Sequence, residues 1–132
     1  MKNKHFLFAA IAWGVVHGAA WSADTTPQAR LDFWQAQATS PADVARGQQF
    51  FVNQHGREWS CASCHHAPPN RPGEHAATGK RIKPLAPAFN PEAFTLQRKV
   101  DKWFKRNCGD VVGRECSTQE KADVLAYLLS VK

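Results

Sequence analysis

The sequence predicts an all-α domain carrying one long proline-rich loop, and three observations support that expectation. Apolar residues recur at helical spacing in four stretches, helix-start signatures precede two of them, and residues 66–94 lack periodicity while holding six of the eight prolines. A structureless loop of that length belongs in a small domain only where it wraps something functional. In chain order, Lys2 and Lys4, the apolar run Phe6–Ala12 and the small-residue stretch ending Ala20-Trp21-Ser22-Ala23 read as an export signal over residues 1–22, cleaved before Ala23. One mature domain, residues 23–132, follows. Residues 24–39 form a first helix with Leu31, Phe33 and Trp34 on its apolar side. Ser40 as N-cap and Pro41 at the first helical position open a second, whose Val44, Phe50 and Phe51 face the core. A third runs from about Thr95 to Cys108 and stops at Gly109, a natural C′ residue. The last opens on the capping box Ser117-x-x-Glu120 and buries Val124, Leu125, Leu128 and Leu129.

Composition narrows the functional classes. The chain has 132 residues and a formal net charge of +6, but its cations are scattered rather than gathered into the dense stripe of a nucleic-acid binder. Beyond the export signal no segment approaches the ~20 apolar residues of a transmembrane helix. The only methionine is Met1, which leaves with the signal, so the mature protein has no thioether to offer a metal.

Cys61-Ala62-Ser63-Cys64-His65 carries the chemistry. Two thiols three positions apart, followed at once by His, form the attachment signature of c-type haem. One helical turn sets both sulfurs where they can form thioethers to the two vinyl groups, and the next residue can donate an imidazole nitrogen to the iron. A thioredoxin-like dithiol would need a βαβ context that this helical sequence lacks. A zinc site recruiting Cys108 and Cys116 would use a spacing wider than the usual knuckle, and export to an oxidising compartment disfavours four free thiolates. A chance arrangement of buried thiols is the remaining alternative. Haem also settles a size problem, because a short helical chain with a long loop has little apolar mass of its own and a porphyrin supplies a shared core. Trp34, Trp59, Trp103, Phe50, Phe51 and Phe104 are reasonable contacts for it.

With His65 on one side of the iron, the opposite position is open. His66 is chained beside His65 and points to the wrong side, while His55 and His75 could reach only through an arrangement the sequence does not indicate. Val100, Trp103, Phe104 and Asn107 fall at i, i+3, i+4 and i+7, one face of the third helix, with Lys99, Lys102, Lys105 and Arg106 on the others. Asn107 is therefore a polar amide on an apolar stripe. It either anchors a helix end, satisfied by the nearby turn, or serves as a ligand. Cys108 and Cys116 flank a loop with Gly109 and Gly113. In an exported protein they most simply form a disulfide worth roughly 2.5 kcal/mol, a reactive redox pair being the alternative.

CASCH, TGKRIKPLAPAFNPEAFT and VDKWFKRNCGDVVGRECSTQEKADVLAYL together resemble the sphaeroides haem protein family of high-spin, oxygen-binding bacterial c-type cytochromes, over about residues 43–129. The resemblance implies an all-α, class I cytochrome c-like fold whose helices wrap one covalently attached haem c. It implies Cys61 and Cys64 as attachment points, His65 and Asn107 as iron ligands in the oxidised state, and a disulfide between Cys108 and Cys116. It further implies that Asn107 is released on reduction, so that the reduced site takes O2 or NO, and that a dihaem cytochrome c is the redox partner. The related cytochrome c'' type carries His where this chain has Asn107.

Three functions are therefore weighed. The first is an exported, periplasmic haem protein that transfers electrons and, when reduced, binds a diatomic gas. The second is a plain electron carrier with six-coordinate iron in both states. The third is an enzyme, a nitric oxide dioxygenase or a peroxidase, for which no residue offers clear acid–base chemistry. Lys80, Arg81, Lys83, Lys99, Lys102 and Lys105 are free to meet an acidic redox partner, the haem propionates or only solvent.

Overall fold

Thr26 starts the first helix. The computed structural model describes residues 23–132, and the export signal read over residues 1–22 lies outside the described residues. The Thr26 hydroxyl accepts the Ala29 N–H and Pro27 takes the first helical position, so α1 spans Pro27–Gln35 rather than 24–39. Its Trp34 is buried, but Phe33 is 53% exposed instead of facing the core. The reason is Arg30, an almost fully buried guanidinium held by Asp101 at 2.6 Å and lying over the rings of both Phe33 and Trp34.

The second helix also begins later than expected. Asp43, not Ser40, is its N-cap, accepting the Arg46 N–H at 2.7 Å, and α2 covers Val44–Val52. Ser40 is drawn off because its N–H and hydroxyl both donate to the Gln119 side chain of the last helix. Val44, at the helix start, is consequently exposed, Phe50 is half-buried and Phe51 is buried.

A single-turn helix, α3, spans Cys61–His65. The proline-rich stretch after it is mostly irregular. It contains a two-residue antiparallel ribbon, β1 Gly73–Glu74 against β2 Arg81–Ile82, and a 3-10 turn at Pro87–Phe89. The third predicted helix is α4, Gln97–Val112. It does not stop at Gly109: the left-handed terminator is Gly113 at φ 79°, whose N–H donates to the Cys108 carbonyl. Asp24 closes its other end by accepting the Gln97 N–H at 2.7 Å. The last helix, α5 Thr118–Ser130, starts at the expected Ser117–Glu120 capping box with both reciprocal bonds formed. Val124, Leu125 and Leu128 are buried and Leu129 is partly so.

The core forms where α2 crosses α5 and α1 lies along α5, centred on Trp34, Phe51, Leu125, Tyr127 and Leu128. Asp123 of α5 is buried and accepts from the Asp43 N–H, the Arg46 guanidinium and the Gln119 amide. Burial alone would raise its carboxyl, but Arg46 and the other donors pull it below the usual carboxylate range. The crossing is close because Gly47 has no side chain: a Cβ there would collide with the Asp123 carbonyl. Gly47→Ala gains about 1 kcal/mol of helix propensity, yet forcing two helices apart costs about 3 kcal/mol. The expected net loss of about 2 kcal/mol lowers the melting temperature by roughly 10 °C, a drop that thermal unfolding followed by circular dichroism would register.

The backbone of α4 packs tightly on none of these helices. It stands across a gap from α3, and that gap is the functional feature of the fold.

Candidate functional site

The turn bearing the two thiols is fixed before any ligand is considered. Ser60 caps α3, its hydroxyl accepting the Ser63 N–H at 3.2 Å, while the Ser63 hydroxyl accepts the Ser60 N–H at 3.0 Å. This reciprocal pair was legible as Ser60-x-x-Ser63 around Cys61 but was overshadowed by the cysteines it positions. His66 ends the helix at φ 62° and ψ 170°, a region strained for any residue with a side chain, and so turns away from the direction of His65. Behind the turn, Gly73 of β1 sits so near Cys64 that a Cβ would overlap the Cys64 carbonyl. The Ala76 N–H, on the same ribbon, approaches the Cys64 sulfur at 3.3 Å. Part of the irregular loop is thus a brace for the back of the attachment turn.

In front of the turn lies a cavity of about 480 Å³. Cys61, Cys64 and His65 form one wall; Val100, Trp103, Phe104 and Asn107 of α4 form another. The sequence placed those four on one helical face, and the fold turns that face into the cavity. Phe50, Phe51 and Trp59 line it as expected, and Phe94, Leu85 and Ile82 of the loop join them. Trp34 does not line the cavity. It packs behind Phe104, ring centroids 4.8 Å apart in an edge-to-face contact, and belongs to the core.

His65 and Asn107 therefore share one cavity from different elements. Asn107 is half-buried and sits inside α4, five residues short of its last residue, because the helix continues past Gly109. The reading of Asn107 as a helix-end anchor fails on that point: the termination is made by Gly113. Next to it, Cys108 and Cys116 form a disulfide with Cα atoms 5.6 Å apart, which ties the end of α4 to the start of α5. With those two sulfurs joined, no second thiolate pair is left for a zinc site at Cys61 and Cys64.

Among the described residues, His55 and His75 have partners of their own. The His55 ring nitrogen Nε2 meets the Phe50 carbonyl at 2.9 Å. His75 does reach the cavity, from the turn between β1 and β2, and its Nδ1 accepts the Ala77 N–H at 3.2 Å. Of the six cations singled out in the sequence, Lys80, Arg81, Lys83 and Lys99 line the cavity, while Lys102 and Lys105 do not.

The electrostatics suit a covalently held metalloporphyrin. Burial, with a smaller contribution from His66, lowers the His65 imidazole to about 4, so the ring is neutral at physiological pH, as a metal ligand must be. Its Nδ1 is buried with no hydrogen-bond partner among the described residues. Burial pushes the Cys61 thiol up to about 11, which suppresses thiolate chemistry there. Two unpaired thiols, a neutral imidazole, an apolar cavity and basic residues beside it are the donor set and surroundings that haem c requires.

Comparisons with known proteins agree with this chemistry. Residues 37–128 match the family model described as a domain of unknown function, DUF1924. The cytochrome c-type protein SHP of Cereibacter sphaeroides is 43% identical over 118 residues, 86% of this chain and 91% of that protein. Cytochrome c'' of Methylophilus methylotrophus is 36% identical over 129 residues, 89% of this chain and 90% of that protein. The solved structure of oxidised SHP, described as an oxygen-binding cytochrome c, superposes with a TM-score of 0.73 at 42% identity, covering 80% of this chain and 96% of that one. A solution structure of cytochrome c'', concerned with haem-ligand detachment, gives 0.61 at 36% identity, covering 76% and 86%.

Proposed function

Because this chain belongs to the DUF1924 family and to the c-type cytochromes typified by SHP and cytochrome c'', we propose that it is an exported electron-transfer protein that binds a small diatomic gas when reduced. One haem c is attached through Cys61 and Cys64. When bound, it supplies a one-electron couple and an iron able to take O2 or NO. The observation that carries the reading is that His65 and Asn107 line one cavity from different elements.

The protein's own residues divide the work. His65, neutral and braced from behind by Gly73, is the permanent ligand. The Asn107 carboxamide oxygen is the second ligand in the oxidised state. It is a neutral, hard donor that would suit ferric iron moderately and ferrous iron poorly, so it would be the ligand that reduction weakens. Once freed, its amide N–H would be a hydrogen-bond donor for a small ligand in the cavity. The apolar walls would keep bulk water from the cavity, Phe104 on the Asn107 helix with Phe94 beside it, and Phe51 with its ring centroid 6.4 Å from that of His65. Lys80, Arg81 and Lys99 are suited to the propionates. The haem-ligand detachment studied in the related cytochrome c'' supports the release step, and the oxygen binding of SHP supports the gas. Residues 1–22 direct the chain to the periplasm, where a dihaem cytochrome c is the electron partner.

The test is spectroscopic. A pyridine haemochrome of the c type is expected from the purified protein, and dithionite-reduced protein is expected to bind carbon monoxide rapidly. Reduced protein that ignores carbon monoxide would leave a plain electron carrier. Protein with no haemochrome band would end both readings.

A further inference from the structure

The outer face of α4 is chemically unlike the rest of the surface. Arg98, Lys102, Lys105 and Arg106 are all exposed there, and none has a carboxylate within salt-bridge distance among the described residues. The acidic residue in the same stretch, Asp101, is already committed to Arg30. Arg98 and Lys102 are four apart, as are Lys102 and Arg106, and Lys102 and Lys105 are three apart. Like charges at those spacings cost an isolated helix about 0.2–0.5 kcal/mol each. Asp101 lies three residues from Arg98 and four from Lys105, and Lys105 also acts on Glu115, so the repulsion left over falls on Lys102 and Arg106, where an apposed set of carboxylates would relieve it.

Beside these cations stands Trp103, 41% exposed. Lys102 Nζ and Arg106 Cζ each lie 5.6 Å from its ring centroid. The same indole lines the cavity shared by His65 and Asn107. One side chain thus has solvent on one side and the cofactor cavity on the other. A tryptophan clasped by cations has the composition of an interface hot spot. Its position means that a protein docked there is separated from the cavity by a single aromatic ring.

We infer that the outer face of α4, with Trp103 at its edge, is the docking surface for an acidic redox protein. The inference rests on the electron-transfer reading above, and it separates cations that the sequence left together: Lys80, Arg81 and Lys99 serve the cavity and Lys83 is paired with Glu92 at 2.6 Å, whereas Lys102 and Lys105 with Arg98 and Arg106 serve the partner. Charge complementarity of this kind acts on encounter and is screened by salt over about 10 Å at 0.1 M ionic strength.

The experiment uses haem-loaded protein and reduced plant-type ferredoxin as an acidic probe. Affinity is measured by calorimetry at low ionic strength and the second-order reduction rate by stopped flow, with a small neutral flavin semiquinone as a non-docking reductant. Wild type is expected to bind the ferredoxin with strong salt dependence. Lys102→Glu with Arg106→Glu should weaken affinity and rate by about tenfold or more, and Lys102→Gln with Arg106→Gln by less. Arg71→Glu with Lys132→Glu, which makes the same change in net charge away from α4, should stay within about twofold of wild type. Equal losses in the two charge-reversed proteins, or wild type that does not bind the ferredoxin, would overturn the docking surface. Failure of the flavin to reduce wild type would instead overturn the electron-transfer reading beneath it.

Discussion

Asn107→Ala should change the oxidised protein and leave the reduced protein nearly as it was. On the proposed reading, the tethered carboxamide competes with any added ligand in the oxidised state, and apparent affinity scales with the fraction of molecules in which the site is free. If Asn107 occupies the position in more than about nine molecules in ten, removing it raises the apparent affinity for imidazole or cyanide by about tenfold or more. The oxidised spectrum should shift toward that of a five-coordinate or water-bound centre. If Asn107 is released on reduction, as proposed, carbon monoxide binding to the reduced protein should change little. Optical titration of the oxidised form and flash photolysis of the reduced form measure the two halves separately. An unchanged oxidised spectrum would refute Asn107 as a ligand. A large acceleration of carbon monoxide binding would show that Asn107 stays in place on reduction. The placement of Asn107 inside α4, beside the Cys108–Cys116 disulfide, gives the proposed competition a fixed backbone tether.

Replacing both Cys61 and Cys64 by Ala should remove covalent haem and with it most of the folded population. A cavity of about 480 Å³, costed at about 24 cal/mol per Å³, amounts to ~12 kcal/mol if nothing fills it. Access of water through the mouth makes that an upper bound. A small domain has only about 5–15 kcal/mol of stability in total. The interface of α4 with the rest of the molecule is mostly this cavity, so α4 is the element with least to hold it once the porphyrin is gone. Acid–acetone extraction should release all haem from the double variant, and its circular dichroism should show early, poorly cooperative melting. Cys61→Ala alone should retain haem through Cys64 and melt between the two. A double variant that kept acid-resistant haem, or that melted with wild type, would contradict both the attachment and the energetic account.

The legibility of this protein was uneven, and the division follows the range of the interactions. Cys61-x-x-Cys64-His65 could be read without a fold because its chemistry is complete within one helical turn. The Ser117–Glu120 box could be read for the same reason, and the helical face of Val100, Trp103, Phe104 and Asn107 needed only periodicity. Errors came where a residue was claimed from far away in the chain. Ser40 had the right side chain for a cap, but Gln119 of α5 took its donors and left the start of α2 to Asp43. Phe33 kept its apolar character yet faces solvent, because Arg30 paired with Asp101 of α4 covers it instead of the core. Trp34 was grouped with the cofactor's neighbours but lies one layer behind, against Phe104.

Taken alone, the sequence determined the helical class, the CxxCH turn, the absence of any methionine beyond Met1 and the polar residue on the α4 stripe, since each is a matter of residue type and local spacing. Only the tertiary structure decided that Asn107 lies within its helix rather than at its end, that His75 reaches the cavity, and that α4 stands off to leave a cavity lined by both His65 and Asn107. Those facts depend on how far apart packed backbones lie. That spacing is set by contacts such as Gly47 on Asp123 and Gly73 on Cys64, between residues too distant in sequence for any local pattern to record.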